Sequence, residues 1–288
     1  MDRLDIAIIG TGPGGVSAAI TAKIRNKTLM LFGSKNLSEK MEKAGQVLNY
    51  PGLPNTTGAA MAQAMGEQLR QLEIPVHDTQ VTAVYAMGDY FALQTAETMF
   101  EAKTVILAAG VVTGKPLPGE NELLGRGVSY CATCDAMFYR GKHVAVLGYS
   151  AHSCQEANFL AGICASVLYI PQLPHDISLD SGVTLVQDKA VSIDGERAAT
   201  GITCKSGAKY SADGVFVLRS AVAPDKLVPG IRMDGNHVAV NLQMETNLPG
   251  LFACGDITGT PYQYIKAAGQ GNVAALSAVR YLDSLKQK

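Results

Sequence analysis

Ile6-Ala7-Ile8-Ile9-Gly10-Thr11-Gly12-Pro13-Gly14-Gly15 is the stretch whose reading decides the fold. Residues 5–9 form an apolar run that stops at glycine, the pattern of a buried parallel strand. Val16, Ala19, Ile20 and Ile24 follow at helical spacing, and Thr28-Leu29-Met30-Leu31-Phe32 reads as a second strand stopped by Gly33. In this βαβ setting each glycine has its own physical job. Gly10 permits the tight turn, Gly12 lets backbone approach a pyrophosphate, and Gly15 lets helix and strand pack closely. The helix N-terminus then faces the phosphates. Phe32-Gly33-Ser34 stands where an acidic ribose partner is expected, which favours FAD over NAD at this site.

Working outward, Met61, Met65, Leu69 and Leu72 mark a helix face, read as core packing. Val105-Ile106-Leu107-Ala108-Ala109-Gly110 is a further buried strand ending at a glycine turn. Residues 111–127, rich in Gly and Pro, read as a crossing between domains. A strand restarts at 143–148, and Cys154, Ala157 and Ala161 mark the helix behind it. Val167-Leu168-Tyr169-Ile170 is the next strand, and short β-rich pieces follow to about Leu218. A loosened stretch from Arg219 to Pro224 returns the chain to the first domain. Leu251-Phe252-Ala253-Cys254 is a strand ending at Gly255-Asp256, and Val273, Leu276, Val279 and Leu282 line a closing helix. The expectation is an α/β protein of two Rossmann-like (three-layer ββα) domains, the second inserted in the first. Residues 1–113 and 222–288 would form the cofactor domain and 114–221 the insertion, with a weak internal repeat of the nucleotide unit.

The 288 residues are 47% apolar and 17% charged, a globular balance with length for two cores. A net charge of −1 points to neither nucleic acid nor an anionic membrane. No apolar run reaches the length of a membrane helix, and Met1-Asp2-Arg3-Leu4-Asp5 leaves no room for a signal peptide before the first strand. Six cysteines without a secretory signal predict a reducing, cytoplasmic setting and a catalytic CxxC.

That CxxC is Cys131-Ala132-Thr133-Cys134, followed by Asp135. A carboxylate beside a dithiol can shuttle the proton that thiol–disulfide exchange needs. The other cysteines, at 154, 164, 204 and 254, form no second CxxC, so no metal site is expected and they read as small buried hydrophobes. Behind the CxxC the strand–turn–helix pattern recurs with a spoiled glycine motif, Gly148-Tyr149-Ser150-Ala151-His152-Ser153.

These residues carry a resemblance. The glycine motif at 10–15, Gly45-Gln46, Asn49-Tyr50-Pro51-Gly52, Gly127-Val128-Ser129-Tyr130 before the CxxC, and Leu248 through Asp256 together resemble the low-molecular-weight thioredoxin reductases over nearly the whole chain. The resemblance implies FAD held by Gly10, Gly12, Pro13, Gly15, Gly45, Gln46, Asn49, Ala109, Gly110, Gly255, Asp256, Gln263, Tyr264 and Ile265. Asp256 would lie on the ribitol chain and Gln263 near the isoalloxazine. It implies Cys134 as the thiol facing the flavin, Cys131 as the thiol exchanging with the partner disulfide, Asp135 as acid/base, thioredoxin as partner, and a homodimer.

The departures from that family concern its NADPH site. Ser150 puts a Cβ where backbone should touch a pyrophosphate, and Tyr149 is bulky beside it. Pro171-Gln172-Leu173 stands where the family has a cation cluster for the 2′-phosphate, and no Lys or Arg occurs from His143 to Asp188. This pattern resembles the subgroup that takes electrons from ferredoxin. Lys40, Lys43, Arg140 and Lys142 are its candidate contacts. The expected function is therefore a ferredoxin-driven, FAD-dependent thioredoxin reductase. A dithiol oxidase using oxygen, an NADPH enzyme with a drifted site, and a flavin redox sensor without turnover stay open as alternatives.

Overall fold

The computed structural model describes residues 3–42, 44–111, 116–130, 132–219 and 222–285, apart from the side chains of Glu39, Lys40, Thr133 and Cys134. The chain forms two compact α/β units, Met1–Val111 with Ala223–Lys288, and Val112–Val222. The second is an insertion in the first.

In the first unit the sheet order is Val76–His77, Leu29–Phe32, Leu4–Ile9, Met99–Leu107, Phe91–Thr95, Val81–Ala86, and Leu251–Ala253 also pairs with Met99–Leu107. Leu4–Ile9 is parallel to both of its neighbours. Its Ile6, Ala7 and Ile8 are wholly buried, as an apolar run covered on both faces must be. Helix Pro13–Ile24 begins with proline at a position where the missing N–H is not needed, and packs with helix Tyr264–Leu285 over one face.

Two helix faces differ from the periodicity reading. Ile24 is 65% exposed, and the buried side of its helix is Val16, Ala18, Ala19 and Ala22. On the C-terminal helix Val279 and Leu282 are buried as expected, but Val273 and Leu276 are 36% and 37% exposed; Ala274, Ala275 and Ala278 face the core. The cause is close helix–helix approach. A Cβ on Gly271 would lie 2.0 Å from the Gly14 carbonyl oxygen, so only small residues fit along that contact.

The second unit has a parallel sheet in the order Val183–Leu185, Ser166–Pro171, His143–Gly148, Gly214–Leu218, Val128–Ser129. Helix His152–Ala161 packs on it through Cys154, Ala157 and Leu160. A three-stranded antiparallel sheet, Ala190–Asp194, Gly201–Cys204 and Lys209–Ser211, completes the unit. Cys154, Cys204 and Cys254 are buried as expected, whereas Cys164 is half-exposed. It follows helix His152–Ala161, where packing is incomplete. Among the described residues no helix is long and apolar enough to cross a membrane.

Candidate functional site

Three strands of the first unit end side by side. Leu4–Ile9 runs into Gly10, Met99–Leu107 into Ala108-Ala109-Gly110, and Leu251–Ala253 into Cys254-Gly255-Asp256. The two outer strands both pair parallel with Met99–Leu107, so the three turns share one sheet edge. Backbone bonds lock them: Gly10 N–H donates to the Phe32 carbonyl at 2.8 Å, Ala108 N–H to Ile9 at 2.7 Å, and Cys254 N–H to Leu107 at 2.8 Å.

The glycines of the first turn divide by what surrounds them. Gly10 has φ +114°, and a Cβ there would lie 2.3 Å from the Ala108 carbonyl oxygen. A Cβ on Gly15 would lie 1.8 Å from the Gly10 carbonyl oxygen. Gly12 meets nothing within 4 Å, and the helix behind it carries no side-chain N-cap bond. Bare backbone, open space and uncapped amides are the features with which a helix N-terminus can receive a phosphate.

The Gly255–Thr258 turn is fixed from behind. Gly255 N–H donates to Gln270 Oε1 at 2.9 Å, and Lys266 Nζ donates to the Gly255 and Gly259 carbonyls at 2.8 and 2.6 Å. Burial pulls the Lys266 pKa down, and the Asp256 carboxylate opposes that shift. Asp256 is half-exposed at the strand edge. Gly45 and Gln46 open a small hairpin in which Gln46–Val47 pairs with Thr56–Thr57, and Asn49 lies in its exposed loop. Gln263 precedes the C-terminal helix, and Tyr264 and Ile265 begin it. Val47 of the hairpin shares an apolar cluster with Met41 and Met61, on which Tyr264 packs. Lys266 and Gln270 were not singled out in the sequence; neither type carries a signal at helical positions.

In the second unit Cys131 lies outside the described residues, as does the Cys134 side chain, so the geometry of that pair is not part of the structure. The backbone of Cys134 is in the helical turn Ala132–Asp135. Ala132 and Ala136 are buried against Phe216 and Cys154. Asp135 is half-buried, and burial together with its charge pushes the Tyr139 pKa up. Met137 and Phe138 stand exposed just beyond it.

The spoiled glycine motif sits at the end of strand His143–Gly148. Gly148 is retained for a reason of its own: a Cβ would lie 2.1 Å from the Tyr169 hydroxyl. That hydroxyl is 2.6 Å from Ser153 Oγ and 2.6 Å from His175 Nε2, and burial raises its pKa. Tyr149 stacks under the Arg219 guanidinium, whose Cζ is 4.5 Å from the ring centroid. Arg219 donates to both oxygens of Glu120, at 2.5 and 2.9 Å, and to the Tyr149 hydroxyl at 3.3 Å. The side chains of Arg219 and Glu120 are 6% and 1% exposed. Burial pulls the guanidinium pKa down, but the bonds to Glu120 outweigh it and raise it above the ordinary value. Residues 143–188 indeed contain no cation, yet folding brings Arg219 to the same edge, and its charge is taken by Glu120. The sequence held no sign of this pair, whose members are 99 residues apart.

The model of the pyridine nucleotide-disulphide oxidoreductase family matches residues 4–271. The chain is 32% identical to a thioredoxin reductase of Aquifex aeolicus (strain VF5), covering 98% of this chain and 94% of the relative. It is 48% identical to a ferredoxin-flavin thioredoxin reductase of Clostridium acetobutylicum in a crystal structure, with a TM-score of 0.95 and 100% of both chains covered. A thioredoxin reductase structure from Gloeobacter violaceus matches with a TM-score of 0.85 at 28% identity, covering 98% of this chain and 95% of that one.

Proposed function

Because this chain belongs to the pyridine nucleotide-disulphide oxidoreductase family and is an FAD-dependent disulfide oxidoreductase, we propose that it reduces thioredoxin with electrons from reduced ferredoxin. The reading rests on one contrast. The strand edge of the first unit is an open phosphate cradle, while the matching edge of the second is filled by Tyr149 and the Glu120–Arg219 pair. A nicotinamide dinucleotide would have to displace that pair and meet Ser150 in place of glycine.

Two electrons from two ferredoxins, with two protons, convert the Cys131–Cys134 disulfide to a dithiol. FAD supplies the conversion from one-electron delivery to two-electron chemistry. Cys131 then attacks the thioredoxin disulfide, releasing one thioredoxin thiol and forming a mixed disulfide. Cys134 attacks Cys131, releases the second thiol and closes the enzyme disulfide again. Asp135, half-buried at the end of the turn, takes and returns the proton. The exposed Met137 and Phe138, just after Asp135, offer thioredoxin an apolar contact. A ferredoxin near −400 mV lies ~130 mV below thioredoxin, about 6 kcal/mol of driving force for two electrons. Arg140 and Lys142, with Lys40 and Lys43, are the cations proposed to receive it. The side chain of Lys40 and all of Lys43 lie outside the described residues.

Anaerobic stopped-flow mixing tests the donor. Reduced ferredoxin or a viologen radical bleaches the flavin, while millimolar NADPH or NADH does not. Complete bleaching by NADPH within a second would return the chain to the nicotinamide-dependent enzymes. Turnover with a small dithiol and oxygen, but not with ferredoxin, would make it an oxidase.

A further inference from the structure

We propose that Tyr130 is a positioning residue for the redox segment, held from behind by the buried Glu120–Arg219 ion pair; this rests on the reading of Cys131 and Cys134 as the redox pair.

Tyr130 is the residue before Cys131. It leaves strand Val128–Ser129, whose two residues are buried and pair with Val215 and Phe216. Only residues 130 and 131 separate that strand from the Ala132–Asp135 turn. Whatever fixes Tyr130 therefore fixes the entry to the CxxC. Its hydroxyl donates to Glu120 Oε1 at 3.0 Å. The acceptor is ionised and buried, which makes this bond stronger and more directional than one between neutral groups.

The carboxylate cannot turn away. Leu117 N–H donates to Oε2 at 2.9 Å and Arg219 holds both oxygens. Arg219 is in turn fixed by the Tyr149 ring and hydroxyl. Tyr130, Arg219 and Tyr149 each directly follow one of three adjacent parallel strands, Val128–Ser129, Gly214–Leu218 and His143–Gly148. The cluster thus ties the residue that enters the CxxC to the ends of three adjacent strands. A buried ion pair is a poor source of stability, because desolvation offsets most of its attraction. Orientation is the use that the arrangement serves. The ring packs on the apolar cluster that includes Leu123, Val128 and Val215, packing that phenylalanine would keep. The hydroxyl is left with the orienting role.

The test uses the FAD-loaded enzyme, a viologen radical as donor and thioredoxin as the varied substrate. Tyr130→Phe should lower kcat by about tenfold, the scale of one hydrogen bond to a charged group. KM for thioredoxin should stay within about twofold, with FAD content and thermal midpoint unchanged. Glu120→Gln should lower kcat at least as much, and the double variant should be no worse than Glu120→Gln alone, since the hydroxyl acts through the carboxylate. If Glu120→Gln does not fold, the kcat-against-KM split in Tyr130→Phe decides the matter alone. Wild-type kcat in Tyr130→Phe, a raised KM with kcat unchanged, or additive losses in the double variant would each overturn the proposal. Cys131→Ser and Cys134→Ser separate it from its premise. If they keep turnover, the redox-pair reading fails; if they are inactive while Tyr130→Phe is wild-type, only the positioning role fails.

Discussion

Gly12 and Gly15 stand in one turn and answer to different constraints: the protein itself requires Gly15, and on the proposed reading Gly12 answers to a ligand. A methyl on Gly12 meets no protein atom, whereas on Gly15 it overlaps the Gly10 carbonyl. Gly12→Ala should therefore fold with an apo-protein thermal midpoint close to wild type but bind FAD at least tenfold more weakly. Gly15→Ala should lose about 1–3 kcal/mol of stability whether or not FAD is present. FAD titration and apo-protein melting separate the two; equal loss of stability in both variants would refute the assignment of Gly12. Gly15 was legible in the sequence as a close-packing position, because the Gly10 carbonyl leaves no room there for a side chain; Gly12, at φ −77° with open space around it, is under no such constraint from the protein. Asp5 gives a second residue-scale prediction. Burial pushes its carboxyl up, but Lys103 Nζ at 2.8 Å and Thr28 N–H at 3.0 Å outweigh that and hold it below the ordinary carboxylate value. Its folded pKa is depressed, so its contribution is present above the unfolded pKa and vanishes as pH falls through the folded one. Asp5→Asn should lower stability at pH 7 by about 1 kcal/mol or less. Melting across pH should show the gap closing in acid; a gap that widens there contradicts the sign.

At the scale of elements, the C-terminal helix shows where pattern reading stops. A period of apolar residues marks a helix correctly, and it picked out Val279 and Leu282. It missed that small residues form the contact where two helix backbones touch, since Ala and Gly carry little hydrophobic weight. Gly271 and Gly269 turn this into a test on one helix. A Cβ on Gly271 would strike Gly14 backbone at 2.0 Å, while one on Gly269 meets nothing within 4 Å. Gly271→Ala should cost about 1–3 kcal/mol, and Gly269→Ala should be neutral or stabilising by up to ~1 kcal/mol through helix propensity. Equal melting temperatures for the two variants would show that the helices do not meet as described.

At the scale of the whole molecule, two nucleotide-type units were legible from two strand–turn–helix repeats. The glycine turn at 10–15 was legible because its residues lie within a few positions of one another. What fills the second edge was not. Tyr149 and Arg219 come from two strand ends and Glu120 from a turn far from both in sequence, and sequence distance hides such meetings. The ion pair has a further consequence, one of evolutionary reversibility. On the proposed reading, any path back to a nicotinamide donor must first clear Glu120 and Arg219 from the edge. Removing either alone strands the other as a buried uncompensated charge, a loss of about 3–5 kcal/mol. A domain with an ordinary margin of about 5–15 kcal/mol has little room for such an intermediate. The pair therefore acts as a ratchet: single substitutions are penalised before the second can compensate, and the enzyme's choice of donor is sheltered from stepwise change.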